Sequence, residues 1–190
     1  MTTQTASADD GFVAGSTQVL IGEQTISSSE IAWADGDWSG YSFADIWVSE
    51  DFYITEHEVR YHAARPVYLL AEVGYNRFGG DFSKVGVGVD AVETFSLQKQ
   101  FVFLRVYGQK TVYGPAGDHT VGAAWQTQPI TITDTISVYG AGFVDIREGA
   151  PDVAEPQLWL TFRNSPVEVG TEVAIFGDNV SVYGAVKLRF

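Results

Sequence analysis

The chain has 190 residues, no cysteine and a formal net charge of −13. One domain fits this length, and the lack of cysteine excludes a disulfide framework and thiolate metal sites. Acidic residues crowd the start, since residues 1–60 hold eleven of them against Arg60 alone. A nucleic-acid surface needs clustered Lys and Arg, and none occurs, so no nucleic acid is expected as a partner.

Strand-forming residues dominate, and no stretch repeats apolar residues at helical spacing over three turns. No apolar run approaches the roughly 20 residues that a membrane-spanning helix requires. We therefore expect an all-β chain. Turn signals divide the region from residue 40 onward into ten strands: residues 40–49, 52–64, 67–78, 82–93, 96–110, 119–128, 131–147, 156–164, 168–176 and 180–190.

Two shorter strands are expected upstream, over residues 16–24 and 28–34, with a turn around Ile26 and Ser27; a single longer strand is the alternative. Twelve strands is therefore the preferred count and ten the alternative. Residues 1–15 are expected to form a flexible N-terminal segment ahead of one domain at residues 16–190. Because the chain begins with neither a basic nor an apolar stretch, no signal peptide is expected in it.

Apolar and polar residues alternate along the strands in a consistent sense. One face carries aliphatic residues and no charge, whereas the other carries charged residues, large aromatic residues and glycines. A soluble sandwich alternates too, so the pattern alone does not say which face is inside. However, the rings on the charged face would be costly patches on a soluble surface, and a closed barrel leaves no unpaired strand edge. We therefore predict an antiparallel up-and-down transmembrane β-barrel with its apolar face outward.

The last strand carries the most specific motif. Residues 182–190 alternate apolar residues with polar or small ones and end on Phe190. This segment resembles the closing strand of bacterial outer-membrane β-barrels, and the alternation over residues 16–190 resembles their small channel and porin-like group, with nucleoside-specific channels as one candidate. The resemblance implies localisation in the outer membrane, contact with membrane lipid, and Phe190 as the assembly signal for the barrel assembly machinery. It also implies a mature form with an added initiator Met.

Connection lengths support this interpretation. If the last strand ends in the periplasm, the two long connections, residues 111–119 and 147–156, both fall on the outer side, and the inner turns are all short. Outer-membrane barrels show the same asymmetry.

Ionisable residues of the charged face are candidates for a solute pathway. Residues 56–62 place two Glu, an Arg and a His on one face of a strand, about 6.5 to 7 Å apart. They could form an acidic track for a cation or polar solute. The alternative is an ion-pair network that neutralises these carboxylates, and the two can coexist in a pore. The candidate set is Asp45, Glu56, Glu58, Arg60, His62, Glu72, Arg105, Arg163, Glu172, Lys187 and Arg189.

Enzyme and metal chemistry are not indicated. The three histidines, His57, His62 and His119, have no nucleophile motif beside them. The Asp- and Gly-containing segments 35–37 and 117–119 lack the spacing of a calcium loop and are typical of turns. We therefore expect no enzyme activity, no metal site and no cofactor.

These patterns favour a passive channel for small polar solutes or ions, with a bore narrowed by inward aromatic residues. Two alternatives stay open. A largely plugged barrel would have a structural or adhesive role, presenting the connections at residues 111–119 and 147–156. A soluble β-sandwich or jelly-roll binding module would explain the missing signal peptide.

Overall fold

The computed structural model is a closed antiparallel β-barrel. It describes residues 11–48, 50–64, 66–77, 79–95 and 100–190, with the backbone alone at residues 92–95, 100 and 101. The strands are β1 (Phe12–Ile21), β2 (Thr25–Asp35), β3 (Trp38–Trp47), β4 (Phe52–Ala64), β5 (Val67–Asn76), β6 (Gly80–Phe95), β7 (Gln100–Tyr113), β8 (His119–Thr127), β9 (Ile130–Thr131), β10 (Ile136–Glu148), β11 (Val153–Ala154), β12 (Gln157–Phe162), β13 (Val167–Phe176) and β14 (Asn179–Arg189).

Twelve strands form the wall, because the two-residue strands β9 and β11 continue β8 and β12. Strand β9 pairs with β10 as β8 does, and β11 pairs with β10 and β13 as β12 does. Pro129 and Pro156 lie at the two breaks, where the absence of a proline N–H interrupts the ladder. The preferred count of twelve strands is confirmed, and the alternative prediction of a soluble β-sandwich is wrong. The described part of the chain contains no helix able to cross a membrane.

The barrel closes between its last and first strands. Strand β14 pairs with β1 from Ser16 opposite Arg189 to Ile21 opposite Gly184. The first residue of β1 and the last residue of β14 therefore lie at the same end of the barrel. We call this end the terminal rim and the opposite end the distal rim. An even number of strands requires this arrangement.

Most wall strands lie where the sequence predicts them, but several bounds differ, first of all near the N-terminus. The range Phe52–Ala64 is as predicted, whereas the turn expected around Ile26 and Ser27 is wrong. Both residues lie within β2, and residues 22–24 make the connection. Strand β1 already begins at Phe12, inside the segment expected to be flexible, and residues 1–10 of that segment lie outside the described residues.

The prediction of two long connections is also wrong. Strand β7 extends to Tyr113 and β10 to Glu148, so the connections shrink to residues 114–118 and 149–152. The turn expected at Pro129 and Ile130 instead occupies residues 132–135. Connections at the two rims are therefore similar in length, and their lengths do not mark an orientation.

The outward face is mostly apolar and the inward face polar. Outward Val121 and Ile146 are 59% and 62% exposed, whereas inward Lys84 and Glu172 are 4% and 3% exposed. Soluble proteins show the reverse, since Lys and Glu are rarely buried in them. The predicted orientation, with the apolar face outward, is confirmed, and such an arrangement is typical of transmembrane β-barrels.

Aromatic pairs border the outward apolar band. Tyr53 and Tyr75 stack near the distal rim with ring centroids 5.4 Å apart, and Trp38 contacts Tyr61 near the terminal rim at 4.9 Å. Eight residues of β4 separate Tyr53 from Tyr61, which is about 26 Å along the strand. With a strand tilt of about 40°, the height is about 20 Å, close to the apolar band of outer-membrane barrels.

One sector of the outward face is polar. On β1 to β4, Thr17 Oγ1 lies 3.2 Å from Ser29 Oγ, and His57 Nδ1 lies 3.0 Å from Ser42 Oγ. These hydrogen bonds satisfy the side chains within the wall, which lowers the cost of placing them against lipid.

Candidate functional site

The lumen holds ten of the eleven residues predicted for a solute pathway. Arg163 is the exception, because β12 ends at Phe162 and Arg163 lies exposed in the connection at the terminal rim. His62 lies within the lumen near that rim, with its Nε2 3.0 Å from Ser39 Oγ. The inward residues from that set are Asp45, Glu56, Glu58, Arg60, His62, Glu72, Arg105, Glu172, Lys187 and Arg189.

Six cations line the lumen among the side chains that the structure describes, and a carboxylate holds each one. Lys84 Nζ lies 2.8 Å from Glu72 Oε1, with both side chains buried. Arg105 Nε lies 2.7 Å from Asp90 Oδ1. The remaining pairs are Arg60 with Glu58, Arg147 with Asp145, Lys187 with Glu30, and Arg189 with Glu168.

Further hydrogen bonds reach over one or two intervening strands, which is possible only on the concave inner face. Tyr107 Oη on β7 donates to Asp145 on β10 at 2.6 Å. The Arg189 guanidinium on β14 donates to Tyr139 Oη on β10 at 2.6 Å, and Tyr139 Oη donates to Glu168 at 2.7 Å. Such bonds hold the lumen side chains in fixed positions.

Inward rings lie against inward glycines. The fully buried Tyr68 ring covers Gly88 on the neighbouring strand, and a Cβ at residue 88 would overlap it. The guanidinium carbons of Arg60 and Arg105 lie 5.9 and 5.4 Å from the centroid of the same ring. The glycines therefore give the rings room along the wall, and cation–π contacts hold them there.

An apolar cluster fills one side of the lumen. Trp159 is fully buried within it and donates from Nε1 to Gln157 Oε1 at 3.0 Å. Lys187 Nζ lies 4.1 Å from the Trp159 ring centroid. The buried members of the cluster are Leu20, Ile26, Tyr139, Trp159, Tyr183 and Ala185.

Four inward carboxylates have no cation bound to them among the described residues. Glu172 accepts a hydrogen bond from Gln157 at 2.7 Å, and Asp45 interacts with Ser28 while its Oδ1 is buried without a partner. Glu155 lies at the break before Pro156 and is close enough to repel carboxylates on β3, β4 and β13. We call this set the acidic quartet: Asp45, Glu56, Glu155 and Glu172.

The acidic quartet does not form a metal centre. Within the described ranges, no group of three or more His, Cys, Asp or Glu side chains has the geometry to hold a metal ion.

Several lumen residues were missing from the prediction. Lys84 could have been found, because it shares the two-residue period of Gly86 and Asp90 on β6. Glu155 could not, because residues 147–156 were expected to be an outer connection. Glu168 could also have been found, because it shares the two-residue period of Glu172 on β13. Glu30 lies on β2, whose inward phase becomes clear only from the pairing with β1.

The distal rim carries its own ion pair between neighbouring connections. Arg77 binds the Asp51 side chain, and this hydrogen bond holds the pKa of Asp51 below its usual value. Asp51 has a positive φ of 51°, a conformation that Asp tolerates better than most residues.

Comparisons with known proteins agree with a porin-like barrel. No protein-family model matches the sequence, and no curated protein matches it. Among solved structures, the chain is similar to the KdgM porin, with a TM-score of 0.53 and 9% identity over 93% of this chain and 99% of that one.

Two further solved structures match with lower TM-scores. One is an outer membrane channel from Pseudomonas putida F1, with a TM-score of 0.41 and 8% identity over 95% of each chain. The other is a mutant of the Rh. blastica porin, with a TM-score of 0.40 and 13% identity over 87% of this chain and 55% of that one. The similarity to the KdgM porin, together with the closed wall of twelve strands, shows that this chain has the fold of a porin-like β-barrel.

Proposed function

We propose that the protein is an outer-membrane β-barrel acting as a passive channel for small polar solutes or ions. The observation that most supports this function is a charged, ion-paired inward face inside a closed wall whose outward face is apolar. Replacing buried ion pairs by apolar residues is often neutral or stabilising, so stability alone does not require this lining. Charged groups at this position are what pores use to pass polar solutes.

Passage would occur by diffusion, without a chemical step. The ion pairs and their cross-strand hydrogen bonds keep the lining side chains in place, and the apolar cluster narrows the bore. A solute therefore exchanges water for hydrogen bonds to fixed carboxylates and hydroxyls, which favours small polar molecules over apolar ones.

A nucleoside is one candidate solute. Tyr41 and Phe43 lie on the inward face with ring centroids 6.0 Å apart, and aromatic rings stack on bases. In a transport assay, a nucleoside should then pass faster than a sugar of similar size.

The surrounding membrane and the assembly route are part of the proposal. Phe190 is 73% exposed at the terminal rim, at the end of the strand that closes the barrel. This placement suits a residue that contacts lipid and is read by the barrel assembly machinery. Fractionation of cells should recover the protein with the outer membrane. Detergent should be needed to release it into solution.

A filled barrel with a structural role is the second candidate. It is favoured by the complete burial of inward Trp159 and Tyr68. An adhesive role has less support, because the connections at residues 114–118 and 149–152 are short and present little surface at the distal rim.

Liposome swelling separates the two candidates. Proteoliposomes containing the folded barrel should swell in small sugars, and the rate should fall steeply as the sugar becomes larger. Liposomes with the unfolded protein are the matched control. If a folded barrel allows no swelling in any of these solutes and also passes no ions in planar bilayers, the filled barrel is correct.

A further inference from the structure

We infer that the channel is selective for small cations and that the acidic quartet sets this selectivity. The inference rests on the proposed channel function and names its substrate class. It depends on the charge balance of the lumen, on the position of the quartet, and on two carboxylates that have no partner.

The charge balance of the described lumen is negative. Ten carboxylates and six cations face inward, and each of the six cations forms an ion pair with one carboxylate. A close ion pair has little net field at a distance, whereas an uncompensated charge in a cleft with low-dielectric walls attracts counter-ions. The acidic quartet supplies the four inward carboxylates that no described cation binds.

The quartet lies in the half of the lumen nearer the distal rim. Glu56 follows the distal start of β4, and Asp45 precedes the distal end of β3 by two residues. Glu155 follows the two-residue strand β11, which also starts at that rim. The terminal half instead contains four of the cations, Arg60, Arg105, Lys187 and Arg189, each with its carboxylate. A cation entering from the distal side therefore meets the uncompensated charge first.

Two members of the quartet have no partner at all among the described residues. Glu56 and Glu155 are half-buried on the inward face, and their carboxylates make no hydrogen bond or ion pair with a described residue. Lys84 and Arg147 attract Glu56, but they are already bound to Glu72 and Asp145. A carboxylate partly removed from water gains stability from a cationic partner. A mobile cation from solution is the partner that the protein does not supply.

The binding of this cation must be weak. The described carboxylates offer no three-ligand metal geometry, so tight capture of a divalent ion is not expected. Conduction requires attraction strong enough for entry and weak enough for release over several sites. Four carboxylates that attract a cation without enclosing it meet that requirement.

The first test is the reversal potential of the folded barrel in planar bilayers under a KCl gradient. The permeability of K⁺ should exceed that of Cl⁻ by at least about 10-fold, the lower end of the focusing expected for a charged cleft. Glu56→Gln with Glu155→Gln should move this ratio toward unity. The matched control, Glu23→Gln with Asp178→Asn, removes two exposed carboxylates from distal connections and should keep the ratio of the unmodified protein.

The second test uses the absence of cysteine. Glu56→Cys introduces a single thiol, which can be modified with a reagent carrying a sulfonate or a quaternary ammonium. The sulfonate should restore the cation preference, and the ammonium should abolish or reverse it. Thr55→Cys, on the outward side of the same strand, is the control and should respond to neither reagent.

The outcomes separate the two proposals. A barrel that conducts without preferring cations, or a Glu56→Cys variant whose selectivity ignores the sign of the reagent, overturns the selectivity and leaves the channel standing. A folded barrel that passes no ions overturns the channel, and the selectivity with it.

Discussion

Phe190 and Gly15 exchange two backbone hydrogen bonds where the last strand meets the first. The N–H of Gly15 donates to the Phe190 carbonyl at 3.1 Å, and the N–H of Phe190 donates to the Gly15 carbonyl at 3.0 Å. The Phe190 ring covers Gly15, where a Cβ would overlap it. The final residue of the chain therefore takes part in closing the barrel.

Deleting Phe190 should impair assembly more than stability. The folded barrel loses two hydrogen bonds, worth about 1–3 kcal/mol together, but assembly in cells also loses the terminal ring. Densitometry of folded and unfolded bands should show a several-fold loss of assembled barrel, while urea unfolding of the refolded protein shows the smaller change. Phe190→Tyr, which keeps the ring, is the control; equal losses by both measures would contradict an assembly role.

Gly88→Ala should destabilise the barrel. The added methyl overlaps the buried Tyr68 ring, which cation–π contacts to Arg60 and Arg105 hold in place, so the cost should be about 1–3 kcal/mol. Gly108→Ala is the matched control, because nothing lies within 4 Å of a Cβ there. Urea unfolding in detergent measures both variants, and an equal effect at the two positions would contradict the packing described for Tyr68.

Glu72→Ala should be more costly than most single substitutions in this barrel. It leaves Lys84, 4% exposed, without its ion-pair partner, and breaking a buried pair in this way costs about 3–5 kcal/mol. Replacing both residues by Met should recover much of that stability. Asp51→Ala removes the exposed partner of Arg77 and should change the unfolding free energy little. If Glu72→Ala were as mild as Asp51→Ala, the Glu72–Lys84 pair would not be buried as described.

Tryptophan fluorescence should report the orientation of the wall. In single-tryptophan variants, brominated lipid should quench Trp38, which is outward and 50% exposed, and leave Trp159, which is fully buried, largely unaffected. Trp125, on the outward face of β8, should be quenched as well. Stronger quenching of Trp159 than of Trp38 would mean that the faces are reversed.

Most wall strands could be predicted because their two faces differ sharply. Strand β5 alternates Val67 and Leu69 outward with Tyr68 and Glu72 inward, so its phase is clear from the sequence. Strand β2 has no such contrast, since polar Ser27 faces outward and Ser28 inward. The misplaced turn at Ile26 follows from this weak alternation, because polar residues in the sequence resemble a turn when neither face is apolar.

The sequence predicts which residues face the lumen but not which of them contact one another. Periodicity places Arg105 and Asp90 on the same side, but only strand register brings them together. The Lys187–Glu30 pair spans β1, and pairs that skip a strand also require the curvature of the closed barrel. Glu155 was missed because proline residues near it are typical of a loop, whereas Pro156 here marks a break within the wall.

Single-channel recording of the unmodified protein tests the central claim most directly. The folded barrel, identified by its heat-dependent electrophoretic mobility, should produce discrete conductance steps of uniform size in planar bilayers. The steps should disappear when the same preparation is unfolded before addition. A preparation that is fully folded and inserted but never conducts would contradict a channel through this lumen.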